Sequence, residues 1–289
     1  MVIILESPLI SVVRLLLVLC VLVSNAGILA TAQATPQTEV AALNAILGRF
    51  GKKANSKWNI SGEPCSGWAT DSTELDNNWD FNPGIKCDCK YDNGTTCHIV
   101  KLRVYALNVV GTIPDELQNL TYLANLNFAQ NYLTGSIPAF VGNLTAMQYL
   151  TFGTNALSGP IPKELGNLQN LISLGIGTNN FSGSVPAEFG NLTSLQKLYM
   201  GSSGLSGKLP ETLSNLKNMK ILWANDCAFT GKIPDYFGTI WTSMQELRFQ
   251  GNSFEGPIPL SLSNLVELTS LYVLCAPYFY QQIFFNKYQ

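Results

Sequence analysis

Apolar and polar positions along most of this chain recur with one fixed period. The clearest copy, LANLNFAQNYLTGSIP at 123–138, returns as MQYLTFGTNALSGPIP (147–162), LISLGIGTNNFSGSVP (171–186) and LQKLYMGSSGLSGKLP (195–210). Looser copies, MKILWANDCAFTGKIP and MQELRFQGNSFEGPIP, start at Met219 and Met244. The glycines ahead of the x-[IVL]-P step, Gly111, Gly135, Gly159, Gly183, Gly207 and Gly231, stand 24 residues apart. Gly256 follows after 25, which places one inserted residue around 238–242.

Inside a copy, Leu126 and Phe128 alternate as in a short strand and point inward together. Asn131 ends that strand, where its amide can satisfy buried backbone groups along the stack. Gly135 permits a tight turn, and Pro138 opens a short helical segment with its φ already set. A unit this short cannot bury its apolar face alone, so copies must stack. L-x-x-L-x-L-x-x-N-x-L-x-G-x-I-P is the leucine-rich-repeat pattern. It predicts an α/β repeat fold, a solenoid of plant-type 24-residue repeats with a concave parallel β-sheet, from a first strand at 102–107 to a last at 268–273.

The flanks divide the chain further. Arg14 precedes an apolar run at 15–23, and small residues follow, ending in Ala32-Gln33-Ala34, an A-x-A cleavage pattern. Residues 1–34 therefore read as an export signal, with a mature start near Thr35. Ser24, Asn25 and Gly27 interrupt the run before it reaches spanning length. Residues 35–98 are not a repeat. Val40, Leu43, Ile46 and Leu47 have helical spacing, with Thr38 as N-cap, and Trp58, Trp68 and four cysteines follow. This segment is expected to be a helical cap over the open apolar end of the array, which occupies 99–273. The tail at 274–289, LCAPYFYQQIFFNKYQ, breaks the pattern and gives Cys275 no evident partner. It leaves Leu268 and Leu271 covered only by aromatic residues, which points to a truncated product of a longer natural array.

Export makes disulfides the natural state of Cys65, Cys87, Cys89 and Cys97. Three pairings are open. Cys87 and Cys89 are poorly placed to bond each other, and the spacing favours Cys65–Cys87 with Cys89–Cys97, the latter around an Asn93-Gly94 turn. A metal site from Cys87, Cys89, Cys97 and His98 is the weaker alternative, because the spacing is not a zinc pattern. No metal and no cofactor is expected. Six N-x-[ST] acceptors, Asn59, Asn93, Asn119, Asn143, Asn180 and Asn191, read as glycan sites on an exported chain. Asn-Leu-x also recurs without the acceptor at Asn167, Asn215 and Asn264, so it is partly the repeat's own sequence. In two copies Ser203 and Cys227 stand where asparagine belongs, and Cys227 is expected to be a buried ladder residue.

Charge removes function classes. Charged residues make up 12% of the 289, net charge is −2, and no basic stripe exists, so nucleic acid is not an expected partner. One histidine, His98, limits acid–base chemistry. Gly175-Ile176-Gly177 has no phosphate-cradling context, and Glu116, Glu164 and Glu188 recur at one repeat phase as solvated residues. What remains is a surface. About eight strands at about 4.8 Å give a concave platform roughly 34 Å across. One column across it reads Arg103, Asn127, Thr151, Gly175, Tyr199, Trp223, Arg248 and Tyr272. The next reads Tyr105, Ala129, Gly153, Gly177, Gly201, Asn225 and Gln250. Tyr, Trp and Arg anchor binding hot spots, and Asn225, Asp226 and Gln250 flank the ring faces where a peptide or a sugar could be held, so Tyr105, Tyr199, Trp223, Asn225, Asp226, Arg248 and Gln250 are the candidate ligand contacts.

The stretches CDCKYDNGTTCHIVKLRVYALNVVGTIPDELQNLTYL (87–123), YLTFGTNALSGPIPKELGNLQNLISLGIGTNNFSG (149–183) and LRFQGNSFEGPIP (247–259) closely resemble plant leucine-rich-repeat receptor-like kinases of the malectin-containing subfamily. The resemblance implies an ectodomain that is followed, in that family, by a malectin-like domain, one membrane span and a serine/threonine kinase. The chain carries no V-A-I-K, H-R-D or D-F-G, so no kinase activity is expected of it. The reading is a non-catalytic recognition module, secreted or on the outer face of the plasma membrane. Its expected partner is a peptide, a glycan or a co-receptor ectodomain, bound on the concave face, with a soluble decoy as one form. The alternatives are a secreted inhibitor of cell-wall-degrading enzymes, whose C-terminal disulfide cap is missing here, and a truncated product without its own function.

Overall fold

The computed structural model describes residues 33–53, 62–76, 78–273 and the backbone of 281–283. Residues 1–32 of the segment 1–34 expected to be an export signal, together with Trp58, Asn59 and Cys275, lie outside the described residues. Each repeat contributes a three-residue strand whose central leucine is buried: Asn125–Asn127, Tyr149–Thr151, Ser173–Gly175, Lys197–Tyr199, Ile221–Trp223 and Glu246–Arg248, with Ser270–Val273 after them. These pair in parallel, in register, on Thr96–Arg103. Gly84–Tyr91 joins Thr96–Arg103 antiparallel at one edge. Gln281–Ile283 joins Ser270–Val273 antiparallel at the other, which completes a 10-stranded sheet among the described residues. This is a leucine-rich-repeat solenoid.

Behind the sheet, all but one of the repeats turn through a short 3-10 segment capped by proline, as at Pro138 before Ala139–Asn143. The proline carbonyl accepts the first helical N–H, Val141 N at 3.1 Å. The inserted residue lies in this layer. Tyr236–Thr239 is an α-turn where the other repeats have 3-10 geometry. The wider turn brings Trp241 to a fully buried position that the other repeats give to leucine, as at Leu144 and Leu216.

The asparagine column binds the stack from within. Asn155 Oδ1 accepts Leu133 N–H of the preceding repeat at 3.0 Å, while Nδ2 donates to Phe128 O and Phe152 O at 3.0 and 2.9 Å. Cys227 performs this poorly. It is half-buried rather than fully buried, as Asn155 and Asn179 also are, and its sulfur makes only long contacts, to Met200 O at 3.3 Å, Asn225 O at 3.5 Å and Ser203 Oγ at 3.5 Å. The Leu205 N–H that an asparagine here would take instead reaches Ser203 Oγ at 3.5 Å. Cys227→Asn is expected to raise stability by about 1 kcal/mol, seen as a later chemical-denaturation midpoint. An unchanged or earlier midpoint would show that the slot cannot admit the amide.

The outer strands form two separate sheets, of four and three strands, broken between Asn180–Ser182 and Ser206–Lys208. Gly204 sits at the break with φ +85°, and a Cβ there would meet Phe181 O at 2.4 Å.

The cap helix is Gln37–Arg49. Thr38 is not its N-cap. Pro36 occupies that place, and its carbonyl accepts Glu39 N and Val40 N at 2.9 and 3.1 Å, so Thr38 falls inside the first turn. Val40, Leu43, Ile46 and Leu47 are buried together, and Arg49 pairs with Glu116 of the first repeat at 2.7 Å. Disulfides join Cys65 to Cys87 and Cys89 to Cys97. The second closes the hairpin whose turn puts Asn93 and Gly94 at φ 57° and 84°. Ala34 also touches this segment, forming a parallel bridge with Thr96.

Candidate ligand-binding face

The two positions flanking each buried strand leucine emerge on the concave face, because successive residues of a strand point to opposite sides. Strand register then makes residues 24 or 25 apart into direct neighbours. Tyr199 pairs with Trp223, Trp223 with Arg248, and Arg248 with Tyr272. The side chains form a continuous stack. The Tyr199 and Trp223 rings meet at 88° with centroids 5.0 Å apart. The Arg248 guanidinium lies 4.0 Å from the Trp223 ring centroid and 4.8 Å from that of Tyr272. Cation–π contact on both faces holds its charge in place.

Glu246 completes this wall and was not among the residues expected from sequence. Its Oε2 accepts Trp223 Nε1 at 3.0 Å and Arg248 Nη2 at 3.2 Å. It belongs to a third column, Lys197, Ile221, Glu246 and Ser270, also in register. The signal was available, since Glu246 and Arg248 are two apart on one strand and share a face. Burial, reinforced by the Glu246 carboxylate, pushes the Tyr199 phenol above its ordinary value, so it is a neutral hydroxyl at physiological pH.

Beside this wall lies a trough of about 360 Å³. Gly153, Gly175, Gly177 and Gly201 form its floor, with Tyr199, Trp223, Asn225 and Arg248 at one end. The floor glycines are also set by packing: a Cβ on Gly177 would meet Gly201 O at 2.8 Å, and one on Gly201 would meet Asn225 Oδ1 at 2.4 Å. Thr154, Thr178 and Ser202 edge the trough in left-handed conformation at φ 57°, 52° and 54°.

Of the residues singled out from sequence, Tyr199, Trp223, Asn225 and Arg248 line this trough. Asp226 borders it only through its partner, accepting Asn225 Nδ2 at 2.8 Å. Gln250 lies in the neighbouring column with Oε1 buried and unpaired, as is Arg248 Nε. Tyr105 is not brought to the group. It sits four strands away, against the cap, where its N–H donates to Asn82 Oδ1 at 3.1 Å. Arg103 leaves the concave column altogether. It is 2% exposed, and Nη1 donates to Leu75 O and, at 3.1 Å, to Asn78 O, which ties the cap to the sheet.

The acceptor asparagines Asn93, Asn119, Asn143, Asn180 and Asn191 are all exposed. Asn119, Asn143 and Asn191 end 3-10 segments, and Asn180 opens an outer strand, so none of these four is on a concave strand. A larger depression of about 880 Å³ on the outer side carries Lys208, Lys232, Glu211, Asp235 and Glu255, mixed charges with no convergent chemistry. Among the described residues no group of three or more His, Cys, Asp or Glu is placed to hold a metal ion. No described helix is long and apolar enough to cross a membrane.

Known proteins resemble this arrangement. The Leucine Rich Repeat family profile matches residues 194–216 and 243–265. A probable LRR receptor-like serine/threonine-protein kinase of Arabidopsis thaliana is 50% identical over 93 residues, 32% of this chain and 9% of that protein. The match thus spans about a tenth of the relative's length. Among solved structures, a TDR receptor is 36% identical with a TM-score of 0.55, over 56% of this chain and 28% of that one. The plant peptide hormone receptor RGFR1, in complex with RGF2, is 32% identical with a TM-score of 0.53, over 59% and 31%. The chain is therefore similar to plant leucine-rich-repeat receptor-like kinases over their repeat region.

Proposed function

We propose that this chain is an extracellular recognition module, the repeat-bearing part of a plant receptor-like kinase of the malectin-containing subfamily, and that its concave trough binds an extended peptide. The trough walled by Tyr199, Trp223 and Arg248 over a glycine floor carries the reading. From Thr151 to Arg248 it crosses five strands, about 19 Å at strand spacing, which accommodates about six extended residues. A backbone can lie close to the floor because no Cβ stands there. Arg248 and Asn225 supply a fixed charge and an amide for orientation. The peptide-bound hormone receptor among the similar structures supports the same class of ligand.

A glycan is the second reading, and the stack weighs against it. One face of Trp223 is taken by Arg248 and its N–H by Glu246, so the ring is a wall rather than an open stacking platform. The chain's own part is recognition, with no catalytic step. A freely secreted form would compete for ligand as a decoy. The glycan acceptors off the concave strands would leave the trough uncovered.

The test is binding of a synthetic extended-peptide library to the secreted chain. Tyr199→Ala and Trp223→Ala are each expected to weaken selected peptides at least about tenfold, while Asn170→Ala on the outer side leaves them unchanged. Selected peptides that ignore both aromatic changes would remove the trough as the site. Retention of cell-wall oligosaccharides in place of peptides would favour the glycan reading.

A further inference from the structure

The trough has no free backbone edge to offer a ligand. It lies in the middle of the 10-stranded sheet. The floor carbonyls of Gly153, Gly177 and Gly201 already accept the N–H groups of Gln130, Thr154 and Thr178, at 2.9, 2.9 and 2.8 Å. A peptide that adds as a β-strand needs an open row of such groups. Any N–H that it turned toward this floor would leave water without gaining a free acceptor, which is unfavourable. What the trough offers instead is a row of hydroxyls along one lip. Thr154, Thr178 and Ser202 follow Gly153, Gly177 and Gly201 in sequence and stand one repeat apart. All three are exposed, and their hydroxyls have no partner among the described residues. In the strand column beside them, the partner of Tyr199 on the preceding strand is Gly175, which has no side chain to cover the ring.

Spacing selects the backbone that fits. Two repeats measure about 9.6 Å at strand spacing. A polyproline II helix turns once in three residues, about 9.3 Å, so it shows one face to both Thr154 and Ser202. A β-strand repeats its face every two residues, about 6.8 Å, and falls out of step with the rungs. Thr178 has no such mate, because two repeats on stands Asp226, a carboxylate that cannot donate to a carbonyl. The geometry points to a proline-rich peptide in polyproline II form, about two turns long, with prolines three residues apart. Its rings pack on Tyr199 and the glycine floor, and its carbonyls accept from Thr154 and Ser202. Proline has no N–H to leave unpaired, and the helix is formed before binding. The inference rests on the concave trough being the peptide site, as proposed above.

The experiment offers the secreted chain two displayed hexapeptide libraries. One has the form P-x-x-P-x-x. The other is free of proline and carries β-branched residues at every second position. Binders that are lost in Tyr199→Ala are expected from the first library. Tyr199-dependent binders from the proline-free library alone would overturn this inference and leave the trough as a peptide site. No Tyr199-dependent binder from either library would overturn both. The selected proline peptides are then titrated against three hydroxyl variants. Thr154→Val and Ser202→Ala are each expected to weaken binding about fivefold, and Thr178→Val less than about twofold. An equal loss at all three positions, or none at any, would overturn the three-residue spacing. Unchanged melting of the variants separates lost contacts from lost folding.

Discussion

Asn131→Ala is expected to lower the stability of the solenoid by about 3 kcal/mol. Asn131 is 5% exposed and is the first full rung of the asparagine column. Its Oδ1 accepts Leu107 N and Val109 N at 3.0 and 3.2 Å, and Nδ2 donates to Val104 O at 2.7 Å and Phe128 O at 3.1 Å. Alanine removes one side chain and leaves partners in two repeats unpaired, which costs more than the bonds themselves contribute. Asn131→Asp should not rescue the loss, because a carboxylate can accept from the two N–H groups but cannot donate to the carbonyls. Asn170→Ala, which removes one exposed bond to Thr145 O, should change stability by less than about 0.5 kcal/mol. The measurement is the guanidinium midpoint of the three variants. Equal midpoints for Asn131→Ala and Asn170→Ala would show that the column does not bind the repeats.

Glu39→Ala is expected to cost about 3 kcal/mol and to loosen the cap selectively. Glu39 is 3% exposed on the buried side of the cap helix. One carboxylate oxygen contacts His98 Nδ1 and the other accepts Ile99 N–H at 2.8 Å. Paired with a carboxylate, which only accepts, Nδ1 carries the proton in this contact. His98 is further clamped on Tyr122, with ring centroids 3.6 Å apart, and meets the Tyr91 edge at 4.7 Å. Alanine leaves two buried donors without acceptors between cap and first repeat. Glu39→Gln keeps the shape and one acceptor oxygen, so its loss should be smaller. Amide hydrogen exchange is the decisive readout. Protection should fall over Gln37–Arg49 and Thr96–Arg103 in Glu39→Ala, while Lys197–Tyr199 and Ile221–Trp223 keep theirs. Uniform loss along the chain would mean that cap and array unfold as one unit.

Of the aromatic wall, the column Tyr199, Trp223, Arg248 and Tyr272 was legible from the 24-residue period, because register converts the repeat length into lateral contact. Glu246, which fastens the wall, was not singled out, since a charged strand residue looks solvated until its two donors are known. Tyr105 and Arg103 fit the same columns by period. They belong to the cap boundary instead, because period says nothing about what non-repeating residues cover.

The periodic pattern by itself determined the solenoid, the buried leucines, the asparagine column and the repeat with the extra residue. Each follows from burial at regular spacing, and that information is local to every copy. Only the tertiary structure decided that Pro36 starts the cap helix, how Glu39 meets His98, and that Cys227 holds its rung weakly. Those depend on one-off contacts between segments with no repeat to average over, so distance and hydrogen-bond geometry settle them and composition cannot. The trough has the same origin: glycines set by close approach between adjacent repeats happen to clear a floor beside an aromatic wall, and both become visible only once the strands are laid side by side.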